Sequence, residues 1–470
     1  MTNIPARYLA ALPSPCLGVV ETHVSWVLLT RDQAFKIKKP VTLPFLDYGT
    51  IEKRRVCCEE ELRLNRRFAP DLYLEVVDLA GEPTVKMRRF ADDQRLDHVS
   101  AAGRLTGDHL TQLARDLAAF QKQAAVAGPE HGTPDIVRTD ALENIEALER
   151  LLPDEATLLT KLRIWTEEEW RKHESVFMRR HAEGRIREGH GDLHLGNLAL
   201  LDDRVVAFDG IEFSKRFRCI DVASEIAFTL VDLLNHRQAG LAHCLLDGWL
   251  AWSGDFGALD VLRYYLVYRA LVRAKVAGLQ DAAGEARKYL AMARHLVEPS
   301  CPTLTITFGP SGCGKTWASG QQLASARTLN TVRLRSDVER KRLFGLAPDA
   351  ASDGGIYSAE ATRSTYARLY DLSGATLQSG WSVIVDAAFL KRAERDAFRE
   401  LAARCRSPFS ILAPTASRKE MARRISLRRN DASEATVDIL DLQLQWLEPL
   451  APEEQAEVLP DSPHRPANGA

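Results

Sequence analysis

The chain has 470 residues, 45% of them hydrophobic and 27% charged, with a formal net charge of −2. That length exceeds what one ordinary core organises, so two or three domains are expected, and the composition is that of a soluble globular protein. The near-neutral charge excludes attachment to nucleic acid or membrane by bulk electrostatics, although a local basic groove stays compatible with it.

Eight cysteines are scattered along the chain without a C-x-x-C pair. Zinc and dithiol readings therefore have little support, and a reducing, cytoplasmic compartment is expected. The first residues lack a basic-then-apolar leader, and no run of 18 apolar residues occurs, so no membrane segment is expected.

Residues 1–18 read as a lead-in. Residues 19–29 alternate as a strand, and 34–40 form a second strand stopped by Pro40. A charged helix is expected over 52–68, with Val56, Leu64 and Phe68 as its apolar stripe, followed by strands over 72–79 and 83–90. Helical patterns then dominate at 108–126, 139–151 and 155–183, so a small mixed lobe precedes a helical one.

Next comes Gly189-His190-Gly191-Asp192-Leu193-His194-Leu195-Gly196-Asn197, a short hairpin over 198–208 turning at Asp202-Asp203, and then Asp209-Gly210. Asp192, placed on a loop, is a candidate base for an attacking hydroxyl. Asn197, five residues on, and Asp209, after the hairpin, are candidate ligands for Mg²⁺ carrying a nucleotide. Two protein oxygens plus phosphate oxygens suit Mg²⁺, which seldom takes an all-protein cage. Phosphoryl transfer asks mainly for positioning and charge neutralisation, which such a set supplies.

With these residues the sequence resembles the aminoglycoside phosphotransferase/choline kinase branch of the protein-kinase-like fold, over roughly residues 15–295. The shared pattern is H-G-D-L-H-x-x-N followed by an aspartate after a hairpin. The resemblance implies an α+β bilobal domain that uses ATP, with a strand lysine on the nucleotide phosphates and a helix glutamate paired to it. Lys36 and Lys38 share one strand face. Lys36 is preferred, because Ala34 leaves room for a base, and Lys38 stays open. Of Glu59, Glu60 and Glu61, only Glu61 shares the helical phase of Cys57, Leu64 and Phe68. Where relatives often cover the phosphates with a glycine-containing loop, this chain has Glu21-Thr22-His23-Val24-Ser25-Trp26-Val27, and the Thr22 and Ser25 hydroxyls are candidates to replace backbone contacts. Asp221 heads a helix expected over 222–234, where it caps that helix or braces the catalytic loop.

Residues 297–302, with two prolines, read as a linker. Beyond it, Gly309-Pro310-Ser311-Gly312-Cys313-Gly314-Lys315-Thr316 has the spacing of the phosphate-binding loop, between an expected strand over 304–308 and a helix over 316–326. Glycines let successive N–H groups point at phosphate oxygens, and the helix start adds its positive dipole end. Lys315 is placed to reach the β- and γ-phosphates, and the Thr316 hydroxyl to hold Mg²⁺. Strands over 331–334, 382–385 and 409–412 alternate with helices, which argues for an α/β domain with a parallel sheet. Asp337 follows the second strand as a candidate base or as the N-cap of a helix from Val338. Asp386 ends the third strand, where it would support magnesium or touch an acceptor. Arg423-Arg424 and Arg428-Arg429, with Asp431, suggest a lid over the triphosphate in which Arg424 and Arg428 hold phosphate oxygens.

This half resembles the phosphate-loop small-molecule kinases, including gluconate kinase-like, polynucleotide 5′-kinase-like and zeta-toxin-like proteins. The whole resembles a recurrent bacterial fusion of an aminoglycoside phosphotransferase-like domain, here 1–297, with a kinase-like, AAA-type ATP-binding domain, here 302–450. A Pro- and Glu-rich tail over 451–470 is expected to be loose. The expected function is a bifunctional ATP- and Mg²⁺-dependent phosphotransferase acting on small-molecule hydroxyls, with Asp192 and Asp337 as bases and Lys315 on the transferred phosphate. The alternatives are a nucleotide-gated sensor with one non-catalytic half, and a polynucleotide 5′-hydroxyl kinase, for which the neutral charge gives little support. No obligate protein partner is expected.

Overall fold

Alternating apolar runs near the N-terminus pair into a five-stranded antiparallel sheet, in the order Gly18–Glu21, Ser25–Leu29, Gln33–Lys38, Glu82–Arg88, Tyr73–Leu79. The computed structural model describes residues 4–43, 46–352, 355–427 and 432–459. The run expected as one strand over 19–29 is a hairpin. The Thr22 hydroxyl accepts the Ser25 N–H at 2.9 Å and closes a tight turn there, a role that short hydroxyl side chains fill readily. One sheet face buries Trp26, Leu28, Phe35 and Ile37 against Tyr8 and Leu79. Lys36 and Lys38 alternate to the opposite face. Helix Ile51–Asn65 starts at Thr50, whose side chain accepts the Lys53 N–H, and it packs through Cys58 against Leu72, Tyr73 and Val85.

The chain divides into two units, one of Met1–His236 with Val261–Val297 and the other of Arg237–Asp260 with Glu298–Ala470. After its sheet the first unit is mainly helical, through Gly107–Gln123, Pro134–Leu151, Ala156–Ala182, Val222–Asn235 and Ala283–Leu296. The hairpin Leu198–Leu201 with Arg204–Ala207 turns through Asp202 and Asp203, both at positive φ. An antiparallel sheet followed by a mainly helical region is the expected α+β arrangement.

The second unit holds a four-stranded parallel sheet in the order Thr331–Arg335, Ser382–Asp386, Leu304–Thr307, Phe409–Leu412. Its two inner strands are buried along their whole length, as strands covered on both faces must be. The phosphate loop, Asp337 and Asp386 all follow or end strands at the same carboxyl edge, where open α/β sheets take ligands.

Helix Ala239–Ser253 lies in sequence before the expected break at residue 297, yet it makes its contacts in the second unit. Gly240 approaches so closely that a Cβ there would lie 2.1 Å from the Ala324 carbonyl oxygen. Asp247 pairs with Arg333, and the Trp381 indole donates to the Leu259 carbonyl at 3.1 Å. The apolar periodicity of this helix does not say which core it faces, so the sequence pattern alone missed the excursion.

The beginning of the tail is packed rather than loose. A short helix, Pro452–Gln455, presents Glu454 to Arg395, with Nε–Oε1 at 2.7 Å and Nη2–Oε2 at 2.9 Å, both side chains fully buried. Leu459 N then donates to Ile411 O at 2.9 Å. Composition suggested a solvated segment, but one buried bidentate pair anchors it. Glu454→Ala strands a buried guanidinium and is expected to cost about 3 kcal/mol, read as a lowered urea midpoint of the full chain. An unchanged midpoint would show that the segment contributes nothing to the fold.

Candidate active sites

In the first unit both strand lysines reach the same carboxylate. Lys36 Nζ lies 2.8 Å from Glu61 Oε1, and Lys38 Nζ 2.7 Å from Oε2. Burial pushes the Glu61 carboxyl up, but the two ammonium charges and their hydrogen bonds outweigh it and bring it down to about 2. Burial works against the charge on each lysine, and the surrounding carboxylates reverse this and raise both well above the ordinary range. The two lysines differ in what else they touch. Lys38 is enclosed with Glu212 and the Tyr48 hydroxyl, whereas Lys36 also meets Asp209, whose side chain is 45% exposed. Lys36 is therefore the lysine at the open side, and Glu61 is the glutamate that meets it.

Asp209 sits at φ 62°. Its N–H donates to the Tyr73 hydroxyl at 2.9 Å, and the following Gly210 N–H to Asn65 Oδ1 at 2.8 Å. Asn65 stands one turn beyond Glu61 on the same helix, so that helix locates both the lysines and the aspartate loop.

Around Asp192 the loop is tied to itself. Asn197 Nδ2 donates to the Asp192 carbonyl at 3.0 Å and to its Oδ2 at 3.1 Å, and His194 Nε2 lies 3.4 Å from Oδ2. With its amide nitrogen so engaged, Asn197 has its amide oxygen left as a candidate cation ligand. Burial pushes Asp192 up, but His194, by charge and hydrogen bond, and then Arg273 hold it well below the usual carboxylate range. A carboxylate so held is a weak base at rest. Burial pushes the His190 imidazole down. Its Nδ1 accepts the Asp192 N–H at 3.3 Å and its Nε2 faces the Phe208 carbonyl at 2.9 Å, which places the proton on Nε2. Gly191 has φ 86°, and a Cβ there would meet the Phe217 carbonyl oxygen at 2.7 Å, so the loop needs glycine.

Three residues without an assigned role in the sequence reading support this loop. On helix Val222–Asn235, Glu225 accepts the His190 N–H, the Thr229 hydroxyl donates to the Leu193 carbonyl at 2.6 Å, and Asp232 accepts the Leu195 N–H at 3.1 Å. Steps of four and three residues put them on one helix face. Asp221 caps this helix through Ala223 N at 2.8 Å and pairs with Arg180, so loop bracing falls to Glu225 and Asp232 instead. The sequence shows Glu225, Thr229 and Asp232 in helical register within a mostly apolar helix, without pointing to their partner. The Thr22 and Ser25 hydroxyls meet each other at 2.8 Å within their own turn, so they are already engaged.

In the second unit the loop from Gly309 to Thr316 joins strand Leu304–Thr307 to helix Lys315–Ala324. Gly309, Gly312 and Gly314 all have positive φ, and a Cβ on Gly312 would lie 2.6 Å from the Met421 carbonyl oxygen. Lys315 Nζ is 2.8 Å from the carbonyls of both Gly309 and Pro310. The Ser311 N–H donates to Gln443 Oε1, on helix Val437–Trp446, at 2.7 Å. A phosphate oxygen seeking that N–H has to displace the glutamine. Cys313 is core, packed with Met421, Ile425 and Leu440.

These residues open on a cavity of 1360 Å³ lined by Lys315, Thr316, Asp337, Asp386, Arg340 and Gln443 among others. Asp337 is not an N-cap, because helix Ser336–Leu343 begins two residues earlier than expected, which leaves Asp337 in its first turn. A carboxylate there is favoured by the helix dipole and still faces the cavity. Asp386 is 5% exposed and accepts from the Ser319 hydroxyl at 3.5 Å. Arg424 pairs with Glu420 at 2.7 Å and donates to the carbonyls of Gly312 and Cys313 at 3.4 and 3.3 Å, gripping the loop from its carbonyl side. Arg423 pairs with Glu420 too, while Arg428, Arg429 and Asp431 lie outside the described residues. Among the described residues no group of three or more His, Cys, Asp or Glu side chains is arranged to hold a metal ion. The oxygen sets Asn197 with Asp209, and Thr316 with Asp386, are compatible with Mg²⁺ only as a cation that brings its own phosphate and water ligands.

Residues 304–450 match a family model described as an AAA domain. The chain is 31% identical over 443 residues to the uncharacterized protein Rv2004c of Mycobacterium tuberculosis, covering 90% of this chain and 89% of that one. Among solved structures, the GDP and kanamycin complex of APH(2")-IIia aligns at 15% identity with TM-score 0.41, over 62% of this chain and 97% of that one. A choline/ethanolamine kinase family protein from Mesorhizobium loti aligns at 15% identity with TM-score 0.41, over 62% and 94%. Structural likenesses this distant carry no argument about function.

Glu61 titrates at about 2 in the fold against 4.5 ordinarily. Its ionisation therefore stabilises the fold fully above pH 4.5, and the contribution fades as pH falls toward 2. The unfolding free-energy difference between the chain and Glu61→Gln, from urea titrations at stepped pH, is expected to be constant above that window and to shrink within it. A difference that holds steady to the acid end would contradict the lysine pairing.

Proposed function

The chain belongs to the same family as the mycobacterial protein Rv2004c, and on that premise we propose that it is an ATP-dependent phosphotransferase with two separate sites, each passing a γ-phosphate to a hydroxyl of a small molecule. The observation that supports this reading is the shared lining of one cavity by the phosphate loop and by Asp337. Magnesium supplies charge neutralisation on the phosphates when bound. In the second unit the loop N–H groups and Lys315 orient the triphosphate, Thr316 and Asp386 face the cation, and Asp337 takes the acceptor proton. In the first unit Lys36, held by Glu61, orients the phosphates, Asn197 and Asp209 face the cation, and Asp192 takes the proton. Supporting this are the pairing of Lys36 with Glu61 in the first unit and, in the second, Lys315 held on two loop carbonyls in the same cavity lining as Asp337 and Asp386.

A second reading, in which the first unit binds nucleotide without turnover, is favoured by one observation. The turn over its sheet has no glycine, and its two hydroxyls are bonded to one another. Calorimetry with ATP on the full chain carrying Lys315→Ala separates the readings, since heat of binding without product points to a sensor.

The main test uses the full chain, Asp192→Asn, Lys315→Ala and the double variant, each incubated with γ-labelled ATP and a metabolite extract. Loss of the base is expected to lower its own product by about 10²–10⁴-fold. The two single variants should lose different products and the double variant all of them. A double variant as active as the parent would sink the proposal.

A further inference from the structure

One peptide unit of the phosphate loop is held from both ends. The Pro310 carbonyl accepts from Lys315 Nζ at 2.8 Å, and the Ser311 N–H of the same peptide donates to Gln443 Oε1 at 2.7 Å. In a trans peptide these two groups point in opposite directions, so the lysine and the glutamine stand on opposite sides of it. Ser311, Lys315 and Gln443 all line the chamber of the second unit, so a ligand there meets the bond between Ser311 and Gln443 directly. The lysine of such a loop serves the β- and γ-phosphates. Its resting place on the Gly309 and Pro310 carbonyls marks this peptide as the terminal-phosphate end of the loop.

Gln443 reaches the loop from a helix that is itself fixed to it. Leu440, three residues earlier on helix Val437–Trp446, is buried with Cys313 of the loop. The loop backbone has little room to give either. A Cβ on Gly312 would lie 2.6 Å from the Met421 carbonyl oxygen, and Arg424 donates to the carbonyls of Gly312 and Cys313. What yields to an incoming phosphate is therefore the half-buried side chain of Gln443. An amide oxygen is a neutral acceptor and a phosphate oxygen a charged one, so the exchange runs toward phosphate. It still costs the hydrogen bond that is given up.

We propose that Gln443 is a positioning residue that sets the preference of the second unit between nucleoside triphosphate and diphosphate. In the empty loop it occupies the donor that the terminal phosphate needs. A triphosphate displaces it, and a diphosphate, which does not reach Ser311, leaves it in place. Once the terminal phosphoryl group has passed to the acceptor, Gln443 retakes the N–H, so that donor does not retain the spent nucleotide. This deepens the phosphotransferase reading and rests on it.

The test is calorimetry on the full chain carrying Asp209→Asn, which removes a cation ligand from the first unit, with the magnesium complexes of AMPPNP and of ADP. Binding that is lost on adding Lys315→Ala is that of the phosphate loop. Gln443→Ala is expected to tighten AMPPNP by about twofold to tenfold and to leave ADP as it was. Gln443→Glu, whose carboxylate bonds the N–H more strongly and repels phosphate, is expected to weaken AMPPNP roughly tenfold and ADP by less. A side chain that only supports the fold gives another pattern, in which Gln443→Ala weakens both nucleotides alike, and that pattern overturns the inference. So does an AMPPNP affinity unchanged in Gln443→Ala, or an ADP affinity that gains as much as that of AMPPNP. If neither nucleotide binds in a way that Lys315→Ala abolishes, the phosphotransferase reading of the second unit fails, and this inference falls with it.

Discussion

Two ammonium groups cannot be buried side by side without a counter-charge, and Glu61 supplies it to Lys36 and Lys38 at once. The first unit is arranged around that requirement. The sheet delivers both lysines to one face, the helix carrying Glu61 must cross that face, and Asn65 on the same helix then takes the backbone beside Asp209. A carboxylate shared in this way gives the two cations unequal surroundings. The enclosed lysine is locked by three partners, and the other pairs with Glu61 and with the half-exposed Asp209.

The second unit meets the opposite problem, which is to keep cations near an opening without letting them collapse onto its carboxylates. For Lys315 and Arg340 it does so by engaging them with neutral oxygen. Lys315 rests on backbone carbonyls, Arg340 on a carbonyl and a hydroxyl, and the Ser311 N–H on a side-chain amide. Contacts of this kind fix direction and cost little to exchange for phosphate oxygens. Asp386 and Asp337 reach the same edge by topology alone, because parallel strands end together.

Much of this was legible in the sequence, for physical reasons. The glycine pattern of the phosphate loop has few other uses, the phase of Glu61 against Leu64 and Phe68 allowed one glutamate of three, and strands that alternate with helices admit few sheet arrangements. The misses share a cause. Glu225, Thr229 and Asp232 act through backbone groups of a distant loop, and nothing near them in sequence announces such a partner. Helix Ser336–Leu343 starts early because Arg335 occupies the N-cap position without a side-chain cap, contrary to capping preference. The tail was judged by composition, which is blind to a single ion pair such as Arg395 with Glu454.

Helix Ala239–Ser253 has a consequence for how such a protein is made and divided. Its residues leave the ribosome well before Arg333, which pairs with its Asp247. For that interval the nascent polypeptide carries an amphipathic segment with no home, while the flanking stretches are already free to condense around it. A chain ending at residue 297 would keep that helix but lose Arg333, and a chain starting at residue 298 would keep strand Thr331–Arg335 without the helix that packs beside it.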